Sequence, residues 1–223
     1  MSDAPTPSET IDLAQTDLVS VNVRLRTSDD QSASYDLLSA TGQSNLACGI
    51  RSPIKVNVKG NCGLFFGLLN DGAEIDVEGD VGPACGHSMT GGGILVRGHA
   101  GHSLAAFARG GFIGVHGTAR ERCGLYLDGA DVVVRQVAGR EAGYGMRSGN
   151  LVLGNDTAEG LGRGATGGTI YLRGAAASVA PSLREVRMKD SDSMRLSLLL
   201  VRAGIRAATK DFRIFRPRKG GEE

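Results

Sequence analysis

A pair of aliphatic residues separated by a single position recurs every 19 residues along this chain. Seven copies follow one another in six equal steps, with no insertion or deletion: Val56 and Val58, Ile75 and Val77, Ile94 and Val96, Ile113 and Val115, Val132 and Val134, Leu151 and Leu153, Ile170 and Leu172. Three further positions of the repeat are mostly glycine or another small residue. A short, ungapped repeat of this kind predicts a solenoid, in which each coil buries its apolar pair against its neighbours.

The length of the repeat restricts what each coil contains. Nineteen residues are too few for a helix, a strand and two turns, but they accommodate short strands joined by tight corners. The chain has 34 glycines among 223 residues, about twice the usual ~7%, and glycine supplies the positive φ or close backbone approach that corners need. We therefore predict an all-β fold, a right-handed parallel β-helix of seven 19-residue coils. With strands ~4.8 Å apart, six steps make a rod roughly 29 Å long.

The repeat divides the chain into three parts. Residues 51–180 form the predicted β-helix, residues 1–50 an N-terminal tail and cap, and residues 181–223 a C-terminal helix and basic tail. The segment "TDLVSVNVRLRT" alternates apolar and polar residues, which predicts a half-buried strand. In "DSDSMRLSLLLVRAGIRAA" we expect a helix with Ser191 or Asp192 as its N-cap. Its predicted apolar face consists of Met194, Leu198, Val201 and Ile205.

Strand alternation sorts side chains into inward and outward lines. The residue between the two aliphatic positions points outward, and this line becomes largely apolar from the third coil onward. Candidate interface residues are Leu95, Val133, Val152 and Tyr171 on this line, Arg97, Arg135 and Arg173 on the charged line beside it, and Phe212 and Phe215 in the tail. An outward apolar line has two explanations, which stay open: a docked partner protein, or cover by the chain's own C-terminal segment.

Metal-ligating residue types occur in the repeat, but their register argues against a metal site. Cys85 and Cys123 occupy a position that is apolar in other coils, so we expect them to be small buried hydrophobes. They lie two coils apart, ~9.6 Å at the strand spacing, which is too far to share a zinc ion. His99 falls in a polar corner position, and His116 in the charged outward line. His99 and His102 lack a third ligand, so we predict no metal site in this chain.

Catalytic and nucleotide-binding motifs are also missing from the sequence. The glycines of "GDVGPACG" precede another strand rather than a helix N-terminus, so they do not form a dinucleotide fingerprint. The outward acids Asp76 and Glu78 share a face, as in β-helix enzymes, but the ungapped repeats leave no loop to enclose a cleft above them. We therefore predict no catalytic and no cofactor-binding residues in this chain. A β-helix enzyme that acts on its own is the least favoured function for this chain.

Charge and cysteine content restrict the location and the partners. The net charge of +1 gives no attraction toward nucleic acid or a membrane surface. No apolar run approaches the ~18 residues of a membrane span, and "MSDAPTPSET" has no features of a secretory signal. Four cysteines without an export signal are typical of a reducing compartment, so we expect a cytoplasmic protein.

The stretch "IDVEGDVGPACGHSMTGGGILVRGHAGHSLAAFARGGFIGVHG" resembles the GXGXG β-helix domain found at the C-terminus of the glutamate synthase large subunit. The resemblance covers roughly residues 40–180. Within that family, the "IDL" start, the "TGQSNLACGI" lead into the first coil and the "DFRIFRPRK" tail are most similar to the separate glutamate-synthase-like subunit of N-methylglutamate synthase. The alternative is the corresponding separate chain of a formylmethanofuran dehydrogenase or of a formyltransferase/hydrolase-type complex. The repeat departs from the pattern at Gln136 and Asn155, where glycine is lost.

The resemblance implies a structural role in a hetero-oligomer rather than catalysis by this chain. It implies two partners, an FMN-binding synthase subunit that also carries an iron–sulfur cluster, and a class II glutamine-amidotransferase-like subunit. The implied complex converts glutamate and methylamine into N-methylglutamate and ammonia, with no cofactor in this chain.

Overall fold

A computed structural model describes residues 8–218 of the chain, in which eleven strands form one continuous sheet. The strands are β1 Glu9–Asp12, β2 Ser34–Gln43, β3 Lys55–Cys62, β4 Glu74–Glu78, β5 Gly93–Val96, β6 Phe112–Val115, β7 Asp128–Val134, β8 Ser148–Leu153, β9 Thr169–Leu172, β10 Leu183–Val186 and β11 Arg213–Pro217. The helices are α1 Leu18–Arg26, α2 Asp190–Arg202 and a short 3-10 helix, Thr209–Asp211. Within residues 8–218 no helix is long and apolar enough to cross a membrane.

Strands β3 to β9 stack in parallel, each displaced from the last by one repeat. Val56 pairs with Ile75, and the same pairing continues coil by coil to Ile170. The parallel β-helix predicted from the 19-residue spacing is therefore confirmed. The inward aliphatic pairs of all seven coils are buried in one continuous core.

A second line of contacts follows each strand after its corner. Single-residue parallel bridges join the same repeat position in successive coils, at Cys62, Val81, Ala100, Ala119, Ala138, Thr157 and Ala176. In the first four coils the residue before the bridge belongs to a polar ladder on the outside. Asn61 accepts the N–H of Asp80 (2.9 Å), and Asp80 in turn accepts the N–H of His99 (2.7 Å). His99 Nδ1 then accepts the N–H of Thr118 (3.0 Å), so His99 is a structural corner residue, as predicted.

The remaining part of each coil is a turn in which every second residue has a positive φ. In the central coil Ser103, Ala105 and Phe107 have φ values of 58°, 57° and 57°. The N–H of Ser103 donates to the carbonyl of Glu121 in the next coil (2.8 Å). The N–H of Ala105 donates in the opposite direction, to Cys85 of the preceding coil (2.8 Å). Alternation thus lets one segment bond to both neighbours. The middle position is glycine in the preceding coils because a Cβ there would meet the core, as at Gly67, where it would lie 2.6 Å from Ile94 Cδ1.

Glycine in the register of Gly98 has a different cause. The φ of Gly98 is not positive, but an added Cβ would lie 2.6 Å from the carbonyl oxygen of Gly79 in the preceding coil. Successive coils approach here through their backbones, which leaves no room for a side chain. Close approach, rather than unusual φ, thus accounts for Gly79, Gly98 and Gly117, whereas Gly60 in the same register also has a φ of 113°.

The segment predicted as an N-terminal strand is instead helix α1, so this prediction is wrong. Asp17 caps the helix by accepting the N–H of Ser20 (3.0 Å). Val21 and Leu25, four residues apart, are buried on one side. The buried Asn22 holds the helix against the first coil by donating its side-chain amide to the carbonyl of Asn45 (2.7 Å).

Both ends of the stack are closed by strands from outside the repeat. At one end β1 and β2 add two parallel strands before β3, with Leu37 paired to Val58. At the other end β11 pairs antiparallel with β9, and β10 pairs with β11. Both additions cover the hydrogen-bonding edge of a terminal coil with this chain's own backbone, which protects it from pairing with another chain.

We predict that Val96→Ala lowers the free energy of unfolding by about 2 kcal/mol, since Val96 is fully buried in a central coil and its loss leaves a cavity. Thermal or denaturant unfolding of the purified chain measures the change. Val137→Ala is the matched control because Val137 is 43% exposed, and we expect a change within about 0.5 kcal/mol. Equal losses for the two variants would contradict the inward assignment.

Candidate interaction surfaces

The outward apolar line of the β-helix is covered by helix α2 and the segment that follows it. Val133, Val152 and Tyr171 are buried. They share a cluster with Phe112, Leu196, Leu199, Leu200, Ala203, Phe212 and Ile214. Of the two explanations left open by the sequence, the structure thus supports cover by the chain's own C-terminal segment. These side chains are not a surface for a partner while α2 stays docked.

The two tail phenylalanines are likewise buried within this chain. Phe212 packs in the cluster beneath α2, and Phe215 lies on β11 opposite Ile170, where it joins the main core. Arg213 stacks over the Phe215 ring at 5.4 Å. Both phenylalanines of the tail therefore pack against the rod. The prediction that they contact a partner protein is wrong for this buried arrangement.

The other four residues predicted to contact a partner are more accessible to solvent, and three of them are arginines. Leu95 is half-buried at the edge of the covered line. Arg97 binds Asp76 through two nitrogens, at 2.9 and 2.5 Å. Arg173 lies 3.5 Å from Asp211. Arg135 is exposed and forms no ion pair within residues 8–218.

The N-terminal end of α2 is fixed to the sheet by Asp192, at the third helical position. Its carboxylate accepts the backbone N–H of Lys189 (3.1 Å) and also binds Arg216 of β11 (2.5 Å). Burial alone would raise the pKa of Asp192, but the Lys189 N–H and the Arg216 guanidinium together lower it below its ordinary value. The helix therefore begins at Asp190, and its N-cap is Lys189 rather than the predicted Ser191 or Asp192.

The C-terminal end of α2 is fixed several coils away. Arg202 pairs with Glu74 of β4 (3.2 Å) and stacks over the ring of Phe112 at 4.6 Å. His116 Nε2 donates to the carbonyl of Ala203 (2.7 Å), an orphan acceptor at the helix end. His116, predicted as an outward charged residue, is therefore half-buried under α2. The helix runs along the stack of strands, from β9 and β11 at one end to β4 at the other.

Three of the four residues predicted as the buried face of α2 lie on its outer face, whereas Ile205 follows the helix and packs against the covered cluster. Met194, Leu198 and Val201 are 68%, 61% and 77% exposed. The helix carries a second stripe, at Leu196, Leu199 and Leu200, and this stripe packs on the rod. Both stripes have helical spacing, so periodicity does not distinguish them. The result is a row of three large aliphatic side chains on the outside, which we call the α2 stripe.

The turn face of the rod carries a row of aromatic rings that the sequence analysis missed. Phe65, His87, Phe107, Tyr126 and Tyr144 form successive ring contacts, with centroids 5.2–5.7 Å apart. Burial lowers the pKa of His87, which keeps this ring neutral. The rings are spread over three repeat positions, one shared by Phe107 and Tyr126, one by His87 and Tyr144, and one held by Phe65, so no single register in the sequence revealed the row.

A groove of about 990 Å³ lies beside this row, and the charges lining it neutralise one another. Glu141 accepts from Arg122 (2.8 Å) and from Arg163 (3.3 Å). The Arg122 hydrogen bond lowers the pKa of Glu141. The next pair, Arg140 and Glu159, lies at 3.1 Å. Paired charges of both signs leave the groove without a strong potential for a charged substrate.

Three of the four cysteines are part of the core, among them Cys85 and Cys123 as predicted, and Cys48 is half-buried. Cys85 and Cys123 are fully buried in the apolar slot, and Cys62 is buried at the bridge position. Burial raises the pKa of Cys123 to about 12 and that of Cys62 to about 12, so both remain thiols. Among residues 8–218 no three His, Cys, Asp or Glu side chains cluster in a way that could hold a metal ion.

The stacked coils and their glycine registers agree with one known family. The profile of the GXGXG motif family matches residues 13–191, most of the chain. The chain belongs to the GXGXG motif family. Protein GlxC of Rhizobium meliloti (strain 1021) is 33% identical over 87 residues. The matched stretch covers 38% of this GXGXG chain and 38% of that protein, so the similarity concerns a shared domain rather than a shared activity.

We predict that docking of α2 in this GXGXG protein weakens in acid. The folded-state pKa of Asp192 is lowered, so its contribution to stability is present above the unfolded carboxyl pKa of ~3.9 and is lost as the pH falls through the folded value. Asp192→Asn should cost about 1–2 kcal/mol at neutral pH, because the neutral amide has only one oxygen to accept from either the Lys189 N–H or the Arg216 guanidinium. Unfolding temperatures measured from about pH 7 to about pH 3 should therefore fall less steeply in this variant.

Asp190→Asn is the matched control, since Asp190 lies in the same first turn but is exposed. It should retain the acid sensitivity of the unmodified protein. The role assigned to Asp192 is wrong if both variants show the same pH profile.

Proposed function

We propose that this chain is a non-catalytic structural subunit of a glutamate-synthase-like complex, in which it holds two other subunits in a fixed relation. Membership of the GXGXG motif family and the similarity to Protein GlxC support this assignment. The continuous core and the backbone bonds from every coil to both neighbours support a rigid spacer rather than a flexible one.

The observation that carries the proposal is the α2 stripe. Isolated apolar residues on a surface are ordinary, but Met194, Leu198 and Val201 form one contiguous face of a helix that is itself fixed at both ends. Such a face fits an apolar groove on another protein. Because its backbone is already ordered, docking there costs little conformational entropy.

The charges beside the α2 stripe indicate the chemistry of its partner. Arg195 lies on the same helix and Arg206 follows it. Both are exposed, and neither has an ion pair within residues 8–218. A complementary surface has an apolar centre with acidic residues at its rim. Charges of this kind contribute to partner choice and association rate more than to affinity.

In its finer form the proposal assigns the chain to N-methylglutamate synthase. The partners are then an FMN-binding synthase subunit with an iron–sulfur cluster and a class II glutamine-amidotransferase-like subunit. The complex forms N-methylglutamate and ammonia from glutamate and methylamine. This assignment rests on the resemblance of the "TGQSNLACGI" and "DFRIFRPRK" segments, and the chemistry belongs to the partner subunits.

Co-expression with the two partner chains, followed by native mass measurement, tests the proposal. We expect a complex that contains all three chains, and we expect Leu198→Glu to release at least one partner because it places a charge in an apolar contact. The lone Leu198→Glu chain should unfold at nearly the same temperature as the unmodified chain, since Leu198 is 61% exposed.

Val137→Glu is the control, because Val137 is an exposed aliphatic residue on the corner ladder, away from α2. It should leave the complex intact. Survival of the complex in Leu198→Glu excludes the α2 stripe as the contact. A chain that remains alone in the presence of both partners contradicts the structural-subunit proposal as a whole.

A further inference from the structure

A small pocket lies where the outward charged line of the β-helix loses a side chain. The repeat places Arg135, Gly154 and Arg173 at the same position of three successive coils. Gly154 leaves a gap between the two arginines, whose strands are two steps apart, ~9.6 Å. The segment after α2 closes this gap from the other side with Arg206. The pocket encloses about 270 Å³.

The charges around this pocket are not balanced, unlike those of the groove on the turn face. Arg135 and Arg206 are exposed and have no ion pair within residues 8–218. Arg173 is the exception, since Asp211 lies 3.5 Å away. Three cations and one nearby carboxylate leave a local excess of about two positive charges.

Two amide side chains extend the set of hydrogen-bond donors. Gln136 and Asn155 line the pocket at the repeat position where the other coils have glycine. Asn155 Oδ1 accepts the N–H of Asp156 (2.9 Å), which leaves the amide nitrogen free to donate. The carboxylate of Asp156 is engaged in the corner ladder, where it accepts the N–H of Ala175 (2.8 Å). The two coils that break the glycine pattern are thus the coils that supply these amides.

The size and the remaining lining define the ligand. Pockets that hold drug-sized ligands measure roughly 300–1,000 Å³, so this one suits a smaller molecule. Guanidinium groups match the planar geometry of carboxylates. Cations on two sides of the pocket, Arg135 on the rod and Arg206 on the segment after α2, suit two separated acidic groups better than a single compact anion. Ile205, Ala207 and Phe212 supply an apolar wall for the carbon chain between those groups.

We infer that this pocket binds a small aliphatic dicarboxylate. Arg135 and Arg206 neutralise its two charges, Arg173 adds a donor beside them, and the Gln136 and Asn155 amides orient the ends. The site lies between the rod and the segment after α2. A bound dicarboxylate therefore links these two parts, and its binding raises the stability of the docked C-terminal segment.

Titration of the purified full chain with succinate at constant ionic strength tests this inference, with calorimetry and the unfolding temperature as readouts. We expect saturable binding in the millimolar range or tighter and a rise in unfolding temperature. Acetate at the same ionic strength should bind far more weakly, because it reaches only one arginine. Arg206→Gln should weaken succinate binding by about tenfold or more, since it removes a charge-assisted contact.

Arg109→Gln is the matched control. Arg109 is an exposed arginine of the same rod without an ion pair in the described chain, and it does not line the pocket. This variant should bind succinate as the unmodified protein does. If Arg206→Gln impairs folding, Arg135→Gln replaces it, with the same expected loss.

Three results would overturn the inference: no saturable succinate binding, equal binding of acetate and succinate, or equal weakening by Arg109→Gln and the pocket variants. The test uses the lone chain and does not involve the α2 stripe. A negative succinate titration therefore does not contradict the structural-subunit proposal. In the same way, a negative co-expression experiment does not contradict dicarboxylate binding in this pocket.

Discussion

Backbone hydrogen bonding between coils of equal length is the constraint on which the whole molecule depends. Each coil binds its neighbours along the strand, at the bridge position and through the alternating turn. These three lines stay in register only if every coil has the same number of residues. One inserted residue would displace a strand by one position and turn its inward aliphatic pair outward. The 19-residue repeat, the glycines at Gly98 and its equivalents, and the absence of loops in the rod all follow from this requirement.

The sequence was sufficient to predict the rod because its signal is periodic and carried by buried residues. The same repeat position gave correct environments for Cys85, Cys123 and His99, since stacked coils give each position similar surroundings. Where the repeat ends, single-sequence patterns became ambiguous. In α1 the alternation that predicted a strand also contains the pair Val21 and Leu25 at helical spacing. Nine residues are too few for one period to exclude the other.

The candidate surfaces were harder to predict than the fold because they depend on which parts of the chain meet. The line at Val133 and Tyr171 was correctly predicted to be outward and apolar, but the sequence did not show that α2 covers it. Helix α2 has two apolar stripes, and the choice between Leu199 and Leu198 as the buried side depends on the shape of the rod beneath. The pocket at Gly154 was missed for a related reason. Arg206 comes from outside the repeat, and only tertiary structure brings it opposite Arg135.

The double attachment of α2 has a consequence for how this protein can evolve. Repeat proteins commonly gain or lose whole repeats, because each unit contacts only its neighbours. Here the helix joins Glu74 of β4 to Arg216 of β11, across the coils between them. A 13-residue helix is about 20 Å long, so an extra coil of ~4.8 Å between these points would break one attachment. The number of coils is thereby fixed by a segment that lies outside the repeat, and the distance between any two proteins bound to the rod is fixed with it.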